Sequence, residues 1–390
     1  MLLLENATIR TMGPEGVING SILLGQGKIL ELAPRINLPQ SADCEVIDMK
    51  HQLVMPGLVE AHCHMGITEE KKGKEGDDCN EAVHPLTPFL RAIDAINTMD
   101  AAFDDAVRAG ITTAMIGPGS SNVVGGQFAV VKTKGRRIDD LIMKSPSAMK
   151  VAFGENPKMN YAGQGISPTT RMAIAGMLRQ ELTRAAQYVE QRRKVPYDFH
   201  YESWVPVIRR EIPLKAHVHR VDDIFTAIRI ANEFHLRMTL DHCSEGHLIA
   251  EEIAREGFPA IVGPDLASRN KIEVQNMAFK TAGVLARHGV KVAVTTDHPV
   301  SLIQTLPLCA GLCVKNGLDM EQAYRAITID AADICGVSDR VGSLEVGKDA
   351  DIAVYDGNPM EIFTHTLMTI IDGKIVYRNE NAEACVFTCH

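Results

Sequence analysis

The chain has no run of apolar residues approaching the ~20 that a helix needs to cross a bilayer, so no membrane partner is expected. It has no excess of basic charge. Its 40 Lys and Arg are outnumbered by 49 Asp and Glu, for a formal net charge of −9. No basic stripe interrupts that balance, so nucleic acid is not an expected partner either. There is no internal repeat and no low-complexity tract. No Gly-Lys-Ser/Thr ends a glycine-rich loop, which excludes a P-loop. The opening Met1-Leu2-Leu3-Leu4-Glu5 is too short an apolar run for a signal peptide. With no export signal, the nine cysteines read as reduced thiols of a cytoplasmic protein, since their count is odd and they form no framework. Cys309-x-x-x-Cys313 and Cys385-x-x-x-Cys389 lack the second matching pair that a structural zinc would need.

What is present is a globular balance of 45% apolar and 23% charged residues in 390 positions, enough for one barrel-sized domain and an accessory unit. Residues 1–55 read as short strands. β-rich runs at 2–10, 17–24 and 28–33 are separated by turn signals such as Gly13-Pro14 and Gly25-Gln26-Gly27. The far end reads the same way. A run at 351–355 leads into Asp356-Gly357-Asn358-Pro359, and runs at 366–371 and 374–378 flank Asp372-Gly373, a strong hairpin signal. The two ends, 1–55 and 346–390, are therefore expected to form one small β-sandwich around a central domain of residues 56–345.

In that central domain the pattern becomes strand then helix. Eight apolar runs read as strands, at 58–64, 112–116, 128–132, 149–154, 214–217, 237–242, 260–262 and 290–296. Helical periods at 87–109, 169–193, 221–234, 245–256 and 276–287 lie between most of them. The links around the second and third runs are weaker. This is the arithmetic of an α/β fold, a (β/α)₈ TIM-type barrel. A doubly wound open sheet is the alternative, disfavoured because no Gly-x-Gly-x-x-Gly follows the first strand. The charged segment Glu69-Glu70-Lys71-Lys72-Gly73-Lys74-Glu75-Gly76-Asp77-Asp78 reads as a solvated loop or as a lid over the barrel mouth.

Residues of metal-ligand type gather at the strand ends. His62-Cys63-His64 closes the first run, and positions i and i+2 of a strand face one side. His217-Val218-His219 closes the fifth, His242 the sixth, and Asp297 follows the eighth. With 14 His in the chain, a single His-x-His is close to chance. Each residue alone also reads as a hydrogen-bonded core histidine or a turn Asp. Four strands delivering such groups to the end where barrel active sites form point to a bound divalent metal. Glu155, after the fourth run, is a further carboxylate that can bind or bridge metals.

The run Val54-Met55-Pro56-Gly57-Leu58-Val59-Glu60-Ala61-His62-Cys63-His64 resembles the opening barrel strand of the amidohydrolase superfamily. The run Val341-Gly342-Ser343-Leu344-Glu345-Val346-Gly347-Lys348-Asp349-Ala350-Asp351-Ile352 resembles that superfamily's re-entry into its β-sandwich. The likeness covers essentially the whole chain and is nearest the imidazolonepropionase-like branch. It implies His62 and His64 as ligands of a first metal, His217 and His242 as fifth- and sixth-strand ligands, and Asp297 as the eighth-strand acid that also moves the proton. Superfamily members with two metals often bridge them with a carboxylated lysine on the fourth strand. The resemblance puts Glu155 at that position, which leaves one or two metals open. His219 can replace His217 as ligand or contact the substrate. Arg220 stands where amidine-hydrolysing members carry Glu, which counts against a cytosine-deaminase-like activity.

The expected activity is that of a metal-dependent amidohydrolase, an enzyme cleaving a C–N bond of an amide or cyclic amide in a small molecule. A metal-activated water attacks, with Asp297 as proton shuttle and His219 as a second catalytic group. Zn²⁺ is the expected ion, and the ligands also accept Fe²⁺ or Mn²⁺. Arg220, Asn122, Tyr161 and His298 are expected on the substrate. Asn122 belongs to Gly117-Pro118-Gly119-Ser120-Ser121-Asn122, which reads as an anion cradle or a tight turn. Arg171 also suits an anionic group. A deaminase or lyase on the same barrel, and a non-catalytic binding or assembly protein, are the alternatives. A homo-oligomer is expected, as is common for enzymes of this size.

Overall fold

The computed structural model describes residues 1–38, 43–70 and 73–380. Lys71, Lys72, Cys385 and Cys389 lie outside them. Two sheets of eight strands each organise the chain.

The first sheet is built from both ends of the described chain. Leu2–Arg10, Val17–Gly25, Lys28–Ala33, Glu45–Asp48 and Leu53–Pro56 come from one end. Ile352–Tyr355, Thr366–Ile371 and Lys374–Arg378 come from the other. The join is antiparallel, with Val54 opposite Val354. Asp372 and Gly373, at φ 49° and 72°, make the tight turn between the last two strands that the Asp-Gly pair calls for. Leu4, Ile9, Ile22, Ile29, Val54, Ile352 and Ile370 fill the space beneath this sheet.

The second sheet is a near-closed barrel. Its strands are β1 (Leu58–Cys63), β2 (Ile111–Ile116), β3 (Val124–Lys132), β4 (Ile142–Ala152), β5 (Leu214–Val218), β6 (Met238–His242), β7 (Ala260–Val262) and β8 (Val292–Val294), side by side in chain order. β1 and β2 are parallel, and so are successive strands from β4 to β8. β3 departs from the expected pattern, because it runs antiparallel to both β2 and β4. The connections at 117–123 and 133–141 explain this. A parallel crossover needs about a dozen residues or more, usually a helix, whereas a reversal needs few.

Helices cover the outside. Val221–Glu233 buries Ile224, Ala227, Ile228 and Ala231 on one stripe. The helix expected over 87–109 is shorter, running Ala101–Arg108 after a 3₁₀ turn at Ala92–Asp94. The preceding stretch is drawn onto β3 instead. Thr87 Oγ1 donates to Val124 O, Gln127 N to Leu90 O, and Gln127 Nε2 to Pro88 O. Over 245–256, a 3₁₀ turn at Gly246–Leu248 precedes the helix Ala250–Glu256. In the charged segment after β1, Glu69 N is bonded to Gly76 O and Asp78 N to Ile67 O. Among the described residues, no helix is long and apolar enough to cross a membrane.

β1 and β8 share no ladder. Side chains and loop backbone hold that seam instead. His64 N donates to His298 O, and the buried Glu60 of β1 accepts from Thr295 and Thr296 just beyond β8.

Candidate metal centre

The parallel strands all point one way, so their last side chains converge on one end of the barrel. His62, His64, His217, His219, His242 and Asp297 meet there, all buried. Two groups of three place one possible ligand atom per residue within 4.8 Å of one another, His62 with His242 and Asp297, and His217 with His219 and His242. His242 belongs to both. His242 and Asp297 sit at φ 69° and 52°, a left-handed conformation uncommon for residues with a Cβ and concentrated at functional sites.

Each imidazole is oriented through Nδ1. His64 and His242 donate to the carbonyls of Gly117 (2.7 Å) and Gly263 (2.8 Å). His62 Nδ1 lies 2.8 Å from Asp241 Oδ2. His217 and His219 pair with the hydroxyls of Ser120 (2.9 Å) and Ser244 (2.7 Å). Every Nε2 is thereby turned to the centre, in the way that outer partners aim metal-binding histidines.

The donor set fits a divalent cation. Bonds of about 2.0–2.2 Å at tetrahedral angles hold ligand atoms roughly 3.4 Å apart. Asp297 Oδ1 lies 3.5 Å from His62 Nε2 and 3.2 Å from His64 Nε2. It is buried and accepts no hydrogen bond, which is costly for a carboxylate oxygen unless a cation compensates. Burial, aided by Lys150 and other nearby positive groups, pushes the His62, His217 and His219 pKa values well down. Burial does the same for His242 against the pull of Asp297. Four imidazoles are thus neutral, the form that ligates. His64 differs. Burial opposes its charge, but Cys79 and Asp297 outweigh that and raise it to about 10. Burial would raise Asp297, but His242 and His64 lower it. A cavity of about 790 Å³ opens above the group, lined among others by Asn80, Ser121, Asn156 and Lys271. That volume suits a small molecule.

The pattern of the amidohydrolase family matches residues 53–376. The chain belongs to that family. A solved amidohydrolase from Thermotoga maritima MSB8 is 35% identical and superposes with a TM-score of 0.94, covering 97% of this chain and 100% of its own. The amidohydrolase tasK of Hapsidospora irregularis is 27% identical over 91% of this chain, which spans only 39% of that longer protein. An imidazolonepropionase of Brucella anthropi is 24% identical over 91% of this chain and 92% of its own length.

In this amidohydrolase-family chain several expected site residues lie elsewhere. Glu155 is in neither metal group. It opens the helix Glu155–Gly163 and its carboxylate accepts from Glu273 N. The fourth strand instead brings Lys150, whose buried Nζ lies 3.4 Å from His62 Nε2. Arg220 pairs with Asp222 two residues on, and Arg171 is held by Asp223. Tyr161 donates to Asn122, which in turn donates to Thr87, so these form a buried brace. His298 accepts from Ile303 N. None of Arg220, Asn122, Tyr161 and His298 lines the cavity.

Other groups were missed from the sequence. Lys150, Lys215, Asp241 and Glu60 are wholly buried inside the barrel. Lys215 donates to Ala61 O and pairs with Asp241. Each falls inside a run that reads as a buried barrel strand, and a charge there is the signal that could have found it. Glu273 offers no such signal, because it comes from a short 3₁₀ turn, Ile272–Val274, in the long connection after β7. Its Oε1 lies 3.5 Å from His217 Nε2 and is paired with Lys271. Of the expected anion cradle, Gly117 and Ser120 serve to hold His64 and His217.

Proposed function

We propose that the chain is a metal-dependent hydrolase of a C–N bond, amide or cyclic amide, in a small molecule. The observation that carries this reading is the buried, unbonded Asp297 Oδ1 facing two histidine nitrogens. His62, His217, His242 and Asp297 would hold the ion, and His64 with them once it gives up its proton, Zn²⁺ first among those the set accepts. Once bound, a divalent cation acidifies a water to a pKa of about 7 and polarises a carbonyl.

The chain's own groups supply the rest. Asp297, its pKa lowered, is ionised and would take the proton of the attacking water on its carboxylate. The same carboxylate then delivers that proton to the leaving nitrogen. His219 has two roles open in this reading, ligand beside His217 or donor to the developing oxyanion. The imidazolonepropionase likeness, at 24% identity, supports a cyclic-amide substrate and the branch read from the sequence.

On this reading Lys150, rather than Glu155, is the fourth-strand group of the metal site. An ammonium beside His62 Nε2 opposes a second cation. Attack of the neutral amine on CO₂ forms an N–C bond, releases a proton and leaves a carbamate anion able to bridge two ions. Burial lowers the Lys150 pKa to about 8, which makes the neutral amine accessible near neutral pH. A homo-oligomer in the cytoplasm completes the proposal.

The test is a substrate screen of N-acyl amino acids, dipeptides, cyclic ureides and aminated heterocycles, scored for released amine or ammonia. Amide or ring-amide hydrolysis that disappears in Asp297→Asn is the expected result. Ammonia from aminated heterocycles alone would instead favour the deaminase alternative.

A further inference from the structure

β8 and β1 share no ladder, yet Asp297 and His62, one beyond each strand of that gap or within it, must keep a fixed separation to act on one ion. Glu60 is the side chain that spans the gap. It is completely buried and sits two residues before His62. Its Oε1 accepts His62 N (3.1 Å) and Thr295 Oγ1 (2.5 Å). Its Oε2 accepts Thr296 N (2.9 Å) and Thr296 Oγ1 (2.7 Å). Each oxygen faces a backbone N–H, His62 N on one side and Thr296 N on the other, an arrangement that a carboxylate satisfies and an amide cannot.

The contacts continue to the acid. Thr295 Oγ1 has two acceptors of β1 within reach of its one hydrogen, Glu60 Oε1 and His62 O (2.7 Å), and the same oxygen accepts Asp297 N at 3.0 Å. Glu60 and the His62 carbonyl together decide where the Thr295 lone pair points, and that lone pair holds the backbone of Asp297. Asp297 needs such holding, because φ of 52° persists in a residue with a Cβ only where the surroundings over-determine it.

We propose that Glu60 is a positioning residue of the metal centre. It acts through Thr295 and Thr296 to set Asp297 against His62, and so fixes the 3.5 Å separation of His62 Nε2 and Asp297 Oδ1. This role rests on the metal-dependent reading above. In Glu60→Gln the side-chain NH₂ meets either the Thr296 donors or those of His62 and Thr295. The loop after β8 then shifts and carries Asp297 with it, although no metal-type side chain has been replaced.

The experiment measures the affinity of the full chain for Co²⁺ by chelator competition and by the cobalt absorption bands. It compares wild type, Glu60→Gln, Thr295→Val, the double variant, and Asp349→Asn as a destabilised control far from the site. Glu60→Gln is expected to weaken the tightest ion ten- to hundred-fold, the usual effect of losing an outer-shell partner, and to change the absorption bands. The double variant is expected to be no weaker than Glu60→Gln alone, since both lie on one path. Asp349→Asn is expected to stay within twofold of wild type. Should Glu60→Gln not fold, Thr295→Val carries the test with the same expected loss.

Folded Glu60→Gln with wild-type affinity and bands would overturn the proposal. So would strictly additive losses, or an equal loss in Asp349→Asn, which would make Glu60 merely structural. A wild type that binds no ion would overturn the metal reading, and this role with it.

Discussion

Asp241 Oδ2, on β6, lies 2.8 Å from His62 Nδ1, on β1, across the barrel interior. The contact joins two strands that are not neighbours in the sheet and fixes which nitrogen of His62 faces the centre. Asp241 also balances Lys215 at 3.3 Å and accepts from Thr239 at 2.7 Å. One buried carboxylate thus orients a proposed ligand and neutralises a buried cation.

Asp241→Asn should therefore do two things. Metal affinity should fall about ten- to hundred-fold, because the outer partner of a ligand is weakened. Stability should fall by about 3–5 kcal/mol, because Lys215 keeps a buried charge without its partner. Chelator competition and denaturant unfolding measure the two effects separately. An affinity loss without any stability loss would contradict the assigned pairing with Lys215.

Lys150 separates the one-ion and two-ion forms of the site. If a carbamate on its amine bridges two ions, Lys150→Met should hold one fewer ion per chain than wild type. A short carboxylic acid added to that variant should restore part of the missing ion by standing in for the carbamate. Equal ion counts in both proteins, by elemental analysis, would exclude the bridge.

The joint between the two sheets should make the protein acid-sensitive. Asp349 pairs with Lys28 (2.6 Å), Lys132 (2.9 Å) and Arg340 (2.7 Å). Burial alone would raise the Asp349 carboxyl, but these three cations outweigh it and lower it to about 2, from an ordinary 3.8. A lowered folded pKa means that the ionised form stabilises the fold. That contribution is complete above the ordinary value and is lost as pH falls from about 4 to about 2. Asp349→Asn should thus be less stable than wild type at pH 7 and nearly equal to it near pH 2. Urea midpoints across this range show it, and parallel curves would refute it.

The legible parts of the sequence were those set by local rules. The runs at 28–33, 366–371 and 374–378 coincide with observed strands because turn chemistry bounds them. The two His-x-His pairs could be placed because alternate strand residues share a face, and Asp297 because barrel strand ends converge. The direction of β3 was not legible, since it depends on which neighbours the chain meets after β2. The stretch before Ala101 has a helical period yet spends its hydrogen bonds on β3, a tertiary choice that periodicity does not contain. Arg220, expected on the substrate, pairs with Asp222 two residues on, a local contact that the expectation did not include. Glu273 reaches His217 from a short 3₁₀ turn in the connection after β7, so no spacing in the sequence connects them.

The central claim is that these distant side chains hold one cation between them. Elemental analysis of purified wild-type, His62→Ala and Asp297→Asn proteins tests it most directly. The account predicts at least one divalent ion per wild-type chain and a marked loss in both variants. Unchanged metal content in His62→Ala, with the fold intact, would contradict it.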